Sequence, residues 1–274
     1  MALLPPRDLI YDKIESVKIW QNKPRSYLGY SGMGNQCQRL LKLQLHWCIK
    51  SHHEARIERL FRRGDYEETV IAKDFEHAGI DLFDDQLEVV GGHGYAKGHI
   101  DGKVFGVPGY ETEIMLFEAK TMNEKRFKEY LKKSLREVSP IYYGQIQSYM
   151  GKLGLKNTLY VVTNKNDEAR SYKILPFDED EYLRLEDIAN TVPLMEELPT
   201  RLGGKTWFAC KFCDARQLCH YKQKVRKTCR SCANVTMEGD GKWGCSLRGD
   251  QSRISYDTQL KGCENYKLDA MFED

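Results

Sequence analysis

The chain has 274 residues, 41% of them hydrophobic and 30% charged, with a formal net charge of +2. This length allows one large domain or two smaller ones, each with its own core. No stretch reaches the roughly 20 apolar residues that a membrane span needs, and the start lacks the apolar core of a signal peptide. We therefore expect a cytoplasmic protein that does not enter a membrane.

Charge is distributed unevenly along the chain. Residues 201–230 carry nine lysines and arginines against the single acid Asp214, and residues 125–136 form a second basic cluster. Residues 178–197 are acidic instead. This segregation suits a surface that follows a phosphate backbone, but a solvated helix face beside a basic loop explains it equally well.

Hydrophobic periodicity predicts a helical N-terminal part. The predicted helices are 7–20, 36–52, 54–63 and 65–77. Gly64 is expected to separate the last two helices.

From about residue 87 the period changes to that of strands, with glycine turns. Residues 113–120 (EIMLFEAK) predict a strand, and its unbroken apolar run 114–117 is typical of a strand covered on both faces. The later predicted elements are helices 123–137 and 140–153, strands 159–164 and 169–175, helix 178–197 and an irregular cysteine-rich tail from residue 206. This order predicts an α/β fold in which helices flank a mixed central β-sheet.

The most specific pattern is Gly98-His-Ile-Asp101-Gly102 followed by Glu118-Ala-Lys120. Side chains two apart on a strand share a face, so Glu118 and Lys120 point the same way, and Asp101 on a neighbouring strand can reach them. Two carboxylates form a hard oxygen site for Mg²⁺ or Mn²⁺. Such a metal can hold a scissile phosphate and activate water, with Lys120 offsetting the developing charge.

These motifs resemble motifs II and III of the PD-(D/E)XK nucleases, in the branch that contains RecB, AddB and the CRISPR-associated RecB-like exonucleases. The resemblance covers about residues 30–220 and implies a restriction-endonuclease-like core. It also implies roles for Gln145 and Tyr149, which match a Gln-x-x-x-Tyr motif, and for Glu68 in Gly64-Asp-Tyr-Glu67-Glu68. Glu68 departs from the histidine of RecB-type enzymes, and Glu67 is the alternative.

Seven of the nine cysteines lie in the last 65 residues, a pattern that indicates metal ligation in a reducing compartment. The resemblance implies that Cys37, Cys210, Cys213 and Cys219 hold a [4Fe–4S] cluster, and the same thiolates suit Zn²⁺. This ligand set would connect the two ends of the chain.

The other tail cysteines have the spacing of a zinc ribbon and predict a second site, for Zn²⁺. They are Cys229, Cys232, Cys245 and Cys263. Cys48 lies among apolar residues and is expected to be a buried core thiol. His99 is a further candidate at the metal centre because it is close in sequence to Asp101.

We therefore expect four segments: an N-terminal helical segment (1–63), a nuclease core (64–205), an iron–sulfur segment (206–222) and a zinc-ribbon-like tail (223–274). The expected function is a metal-dependent DNA exonuclease acting on ends or single strands. Its expected partners are DNA and proteins of repair, recombination or phage replication. The alternatives are a restriction-type or structure-specific endonuclease and a nucleic-acid-binding module that does not cleave.

Overall fold

A mixed β-sheet lies at the centre of the fold in the computed structural model, which describes residues 9–16, 23–50 and 54–273. In chain order the strands are β1 (Leu28–Gly29), β2 (Asp81–Phe83), β3 (Glu88–Gly91), β4 (Ala96–His99), β5 (Gly102–Phe105), β6 (Met115–Met122), β7 (Asn157–Asn164), β8 (Arg170–Pro176), β9 (Val235–Met237) and β10 (Trp243–Cys245). The central sheet has the order β2-β5-β6-β7-β8. The pair β6–β7 is parallel and the other pairs are antiparallel.

Helices surround this sheet. In chain order they are α1 (Leu9–Glu15), α2 (Tyr30–Met33), α3 (Gln38–Leu45), α4 (Ala55–Ala78), α5 (Glu124–Lys132), α6 (Leu135–Val138), α7 (Pro140–Leu153), α8 (Glu179–Thr191), α9 (Phe208–Lys211), α10 (Arg216–Tyr221) and α11 (Tyr256–Lys261). The predicted mixed sheet with flanking helices and a cysteine-rich C-terminal part is confirmed. In the described ranges, no helix combines the length and apolar character that crossing a membrane requires.

The central strand β6 is covered on both faces, as its apolar run predicts. Phe117 and Ala119 pack in one buried cluster with Ile71 and Phe75 of α4. The opposite face belongs to a larger cluster that includes Leu116, Met122 and the α7 residues Ile146 and Met150. Alternating side chains of one strand therefore point toward α4 or toward α7.

Two small sheets complete the fold. One has the order β1-β4-β3, and the other is the hairpin of β9 and β10. Strand β4 ends at His99 and β5 begins at Gly102, so the chain passes from the small sheet into the central sheet at Ile100 and Asp101. This crossing places Asp101 beside β6.

The predicted separation of two helices at Gly64 is wrong, because α4 runs unbroken from Ala55 to Ala78. A Cβ at Gly64 would have no atom within 4 Å, so packing does not require a glycine here. A single glycine costs a helix only about 1 kcal/mol relative to alanine, which is too little to break α4. The helix ends at Gly79, whose φ of 73° is the left-handed conformation common after a helix. The expected boundary between residues 63 and 64 thus falls within one helix.

Other element boundaries also shift for local reasons. The predicted helix 123–137 is two helices, α5 and α6, since Ser134 and Glu137 form a capping box that begins a new helix. The predicted helix 178–197 ends at Thr191, before a 3₁₀ turn that contains Pro193. Of the predicted helix 36–52 only Gln38–Leu45 is helical, and the chain leaves the helix before Trp47, whose φ is 53°. Of the predicted helix 7–20 the described part is helical over Leu9–Glu15, and residues 7, 8, 17–20, 51 and 52 lie outside the described residues.

The C-terminal tail packs onto the N-terminal part through a buried arginine. The Arg230 side chain is 1% exposed, and its guanidinium lies 3.9 Å from the ring centroid of Trp47 and 4.3 Å from that of Trp243. It donates hydrogen bonds to the backbone oxygens of Ser26 and Leu45 and to Gln259 Oε1. Arg230 thus joins segments about 200 residues apart in the chain.

Candidate active site

Three charged side chains meet at the β5 edge of strand β6. Glu118 and Lys120 lie on the same face of β6, and Lys120 Nζ donates to Glu118 Oε1. Lys120 Nζ also lies 3.6 Å from Asp101 Oδ2. Asp101 Oδ2 accepts a hydrogen bond from the backbone N–H of Ala119 at 2.9 Å, which holds the carboxylate against the strand. The structure therefore brings the predicted Asp101, Glu118 and Lys120 together.

Glu118 is in an unusual environment for a carboxylate. Its exposed fraction is 0%, and its Oε2 atom has no hydrogen-bond partner. Burial, followed by the charge of Asp101, raises the pKa of Glu118 to about 8, although the charge and the hydrogen bond of Lys120 lower it. A buried carboxylate oxygen without a partner costs free energy unless a cation or donor approaches it.

Glu68 of α4 adds a third negative group. Burial raises the pKa of Glu68 to about 7, and the charge of Asp101 contributes in the same direction. Burial by itself would lower the pKa of Lys120, but the charges of Glu118 and Asp101 outweigh it and raise that pKa well above its ordinary value. Three carboxyl groups and one ammonium group therefore share this centre, and two of the three carboxyls hold their protons more tightly than an exposed carboxyl does.

The adjacent residue Glu67 faces elsewhere. Its Oε1 accepts hydrogen bonds from Arg170 Nη2 at 2.8 Å and from Thr163 Oγ1 at 2.9 Å. Consecutive helix positions differ in direction by about 100°, so only one of the two glutamates can face the centre. The structure places Glu68 there and Glu67 in an ion pair at the end of β7.

Gln145 and Tyr149 lie one turn apart on α7, and Gln145 hydrogen-bonds the Tyr149 hydroxyl. Burial and then the Glu118 charge raise the pKa of Tyr149. The Tyr149 ring is 2% exposed and lies edge-to-face with Tyr30 at 5.9 Å, so it has no free face for stacking on a base. Gly98 provides the space for Tyr149, because a Cβ there would lie 2.3 Å from the tyrosine hydroxyl oxygen.

Sequence reasoning did not identify three further residues at this centre. Tyr160 pairs with Glu118 in the β6–β7 register, is fully buried, and has a hydroxyl without a hydrogen-bond partner. The Tyr142 ring centroid lies 5.7 Å from Lys120 Nζ and 5.8 Å from the Arg126 guanidinium carbon. Tyr142 precedes Gln145 by three residues on the same helix, a spacing that could have identified it.

His99 lies at the margin of the site. Its side chain is 41% exposed, and its Nε2 lies 3.8 Å from Glu88 Oε2 on the neighbouring strand. Strand alternation turns His99 to the solvent side of β4, while the flanking Gly98 and Ile100 are buried. The structure gives His99 no contact with Asp101.

The four cysteines of the first predicted set line one small cavity. Cys37 directly precedes α3, Cys210 lies in α9, and Cys219 lies in α10, with Cys213 between the two short helices. Burial raises the pKa of Cys213, and the other three thiols raise it further. The fold thus brings Cys37 to the side of three cysteines that lie more than 170 residues later in the chain.

The second predicted set is also brought together. Burial raises the pKa of Cys229, followed by the charges of Cys263, Cys232 and Cys245. Over the described ranges, no three His, Cys, Asp or Glu side chains converge in the arrangement that would hold a metal ion. Within each set of four cysteines the thiols are therefore near one another, but they are not arranged as the ligands of a metal ion. Cys48 does not line the cavity of the first set. It is buried beside Leu43, Ala215 and Phe272, in a cluster against which Cys213 and Cys219 also pack.

Comparison with known proteins gives weak similarities only. No protein-family model matches the chain, and no curated protein matches it. The alkaline exonuclease LHK-Exo from Laribacter hongkongensis is 16% identical to it, with a TM-score of 0.44 over 62% of this chain and 88% of that one. LHK-Exo in complex with dAMP gives a TM-score of 0.45 at 16% identity, over 64% of this chain and 90% of that one.

A third solved structure, described as SSO0001, is 15% identical to this chain. Its TM-score is 0.41, over 78% of this chain and 93% of that one. Similarities of this size carry no conclusion about function, so the functional argument depends on the site itself.

Proposed function

We propose that this protein is a metal-dependent DNA nuclease of the PD-(D/E)XK type that degrades DNA from ends or single strands. The observation that carries the proposal is the convergence of Asp101, Glu118 and Lys120 at one strand edge, with Glu68 beside them. Two features argue for a cation partner. Glu118 Oε2 is buried without a hydrogen-bond partner, and three carboxylates surround a single ammonium group.

The donor set fits Mg²⁺ or Mn²⁺, because both metals prefer carboxylate oxygens. Asp101 and Glu118 would hold the ion, and Glu68 would add negative charge or accept from a coordinated water. When bound, such a cation supplies Lewis-acid stabilisation of phosphate charge and activates water. Hard oxygen donors suit these two metals, whereas thiolates suit softer ones.

The chain's own residues have separate tasks in this proposal. Lys120 carries a positive charge held by Glu118 and Asp101 and would stabilise the charge that develops on the scissile phosphate. Gln145 and Tyr149 are positioning residues, since both are buried on α7 and the Tyr149 hydroxyl lies within the field of the Glu118 charge on β6. Tyr142 and Arg126 stand at the margin of the centre, where they would contact the nucleotide beside the cleaved bond.

The direct test is incubation of the protein with end-labelled linear DNA and with covalently closed circular DNA, each with Mn²⁺ or with EDTA. We expect Mn²⁺-dependent loss of the linear substrate from its ends, and an intact circle. Equal rates on the two substrates would favour the endonuclease alternative. Activity that persists in EDTA would contradict the proposed metal centre.

We propose in addition that Cys37, Cys210, Cys213 and Cys219 bind a [4Fe–4S] cluster, or Zn²⁺ in its place. We further propose that Cys229, Cys232, Cys245 and Cys263 bind one structural Zn²⁺. Thiolates suit both metals, and each set gathers four thiols from separate segments. The first set would connect the start of α3 to the tail.

Metal analysis of protein purified without oxygen separates these options. We expect about four iron atoms and one zinc per chain for the two sites together. Cys213→Ser should remove iron and the brown colour while zinc stays bound, and Cys232→Ser should do the reverse. Cys48→Ser serves as the matched control and should lose neither metal, because Cys48 does not line the cavity of the first set and belongs to neither predicted ligand set.

A further inference from the structure

Three aromatic side chains are exposed on the segment around α9. Phe208 and Phe212 expose 75% and 77% of their surfaces, and Trp207 exposes 37%. The Phe208 and Phe212 rings lie edge-to-face with their centroids 5.4 Å apart. We call these three residues the aromatic patch. Contiguous exposed rings of this size mark binding surfaces in proteins.

Local packing holds the patch open to solvent. A Cβ at Gly203 would lie 2.9 Å from the Trp207 indole, so the glycine backbone supports one side of that ring. Trp207 is the residue before α9, and Phe208 and Phe212 sit one helical turn apart. The rings are therefore presented by a short, supported segment.

The charge around the patch is positive. No acidic residue occurs from Leu198 to Cys213, and Lys205 and Lys211 are exposed within that stretch. Lysine is depleted at protein–protein interfaces, whereas rings interleaved with lysines are typical of surfaces that bind single strands.

We propose that the aromatic patch binds single-stranded nucleic acid. Unpaired bases stack on Phe208 and Phe212, and Lys205 and Lys211 contact the phosphates on either side. A duplex keeps its bases within its own stack and presents no free base face to the rings, so the patch selects unpaired strands. Delivery of this strand to the carboxylate centre rests on the proposed nuclease function, but the binding itself does not.

The test is fluorescence anisotropy of a labelled oligothymidylate with the full-length protein in EDTA. Phe208→Ala and Phe212→Ala should each weaken binding at least about fivefold, the lower end of the effect of losing one stacked base. An abasic oligonucleotide of the same length should bind the wild type and both variants equally. Lys205→Gln and Lys211→Gln should each reduce the slope of log K against log salt by about 0.7.

Two controls separate stacking from loss of structure. Leu183→Ala removes a similarly exposed apolar side chain from the acidic helix α8 and should leave binding unchanged. Phe212→Tyr keeps an aromatic face and should retain wild-type affinity. Melting curves of all variants should coincide, because none of these side chains is buried.

Wild-type affinity for oligothymidylate in both Phe208→Ala and Phe212→Ala would overturn the proposal. The proposal would also be overturned if these variants sedimented differently from the wild type but still bound oligothymidylate normally. The patch would then be an interface between protein chains. Cleavage is measured separately with Mn²⁺. If the protein binds DNA through the patch but does not cleave it, only the nuclease proposal is contradicted. If the protein cleaves DNA and substitutions in the patch do not change binding, only the proposed role of the patch is contradicted.

Discussion

At the scale of single residues, Glu67 and Glu68 have the same chemistry and different surroundings. Glu67 pairs with Arg170 and Thr163. Glu68 instead interacts electrostatically with Asp101 and Lys120. The proposed function gives the two glutamates opposite roles. One stabilises the link between α4 and the sheet, and the other takes part in the chemistry.

We therefore predict opposite effects of two neighbouring substitutions. Glu68→Ala should reduce cleavage of linear DNA roughly tenfold or more, the usual effect of losing a group beside a metal, without lowering the melting temperature. Glu67→Ala should retain cleavage and lose about 1–3 kcal/mol of unfolding free energy, because the buried Thr163 hydroxyl loses its acceptor and Arg170 keeps only Asp74 as a partner. Cleavage rates and thermal melts of the two purified variants provide the comparison. Equal loss of activity in both variants would contradict this division of roles between Glu67 and Glu68.

We expect larger losses of activity from substitutions of Asp101, Glu118 and Lys120. Asp101→Asn, Glu118→Gln and Lys120→Met should each lower the cleavage rate by about 10²-fold or more, since each removes a metal ligand or a charge stabiliser. Glu118→Gln should keep or raise the unfolding free energy, because it replaces a buried carboxylate whose pKa is raised. Full activity of Asp101→Asn would contradict the mechanism.

At the scale of elements, Gly98 and Gly64 differ in whether the surrounding structure has room for a side chain. A Cβ at Gly98 would lie 2.3 Å from the Tyr149 hydroxyl oxygen, but a Cβ at Gly64 would meet nothing within 4 Å. Gly98→Ala should therefore displace α7 from β4 and reduce both stability and cleavage. Gly64→Ala should stabilise the continuous α4 by about 0.5–1 kcal/mol. Denaturant unfolding of both variants measures this difference, and a destabilised Gly64→Ala would indicate a break in α4.

At the scale of the whole molecule, the tail depends on Arg230. Arg230→Ala would leave a cavity between Trp47 and Trp243 and deprive three buried acceptors of their donor. We expect a loss of about 3 kcal/mol or more and earlier proteolysis of residues after 223. Lys227→Ala, at an exposed position three residues away, is the control and should melt like the wild type. Unchanged stability of Arg230→Ala would show that the tail is held by other contacts.

The neighbouring His46 makes the same interface sensitive to acid. Burial, followed by the charge of Lys42, lowers the pKa of His46 from 6.5 to about 3, and its Nδ1 donates to the Arg230 backbone oxygen. Between these pH values the unfolded chain binds a proton that the folded chain does not. Stability contributed by neutral His46 is therefore complete above pH 6.5 and lost as the pH falls toward 3.

The expected slope is about 1.4 kcal/mol per pH unit within that window. His46→Asn keeps a donor near the position of Nδ1 but does not titrate, so its unfolding free energy should decline less steeply below pH 6.5 than that of the wild type. Denaturant unfolding at several pH values from neutral to acidic checks this. Parallel pH profiles of the two proteins would exclude His46 as the cause.

Much of the fold follows from the sequence by itself. Strand period two puts Glu118 and Lys120 on one face of β6, and its apolar run predicts cover on both sides; the structure has both features. Helix α7 spans Pro140–Leu153, as predicted, with a proline in its first turn and the left-handed Gly154 directly after it. These features are local, because backbone periodicity and capping act over a few residues.

Only the tertiary structure decided which distant residues meet. Glu68 rather than Glu67 faces Asp101 because of the rotation of α4 on the sheet, and Tyr160 reaches the centre through the β6–β7 register. Arg230 contacts Ser26 because the tail folds back over the start of the chain. Periodicity determines which face of an element a side chain occupies, but the packing of whole elements determines what that face meets.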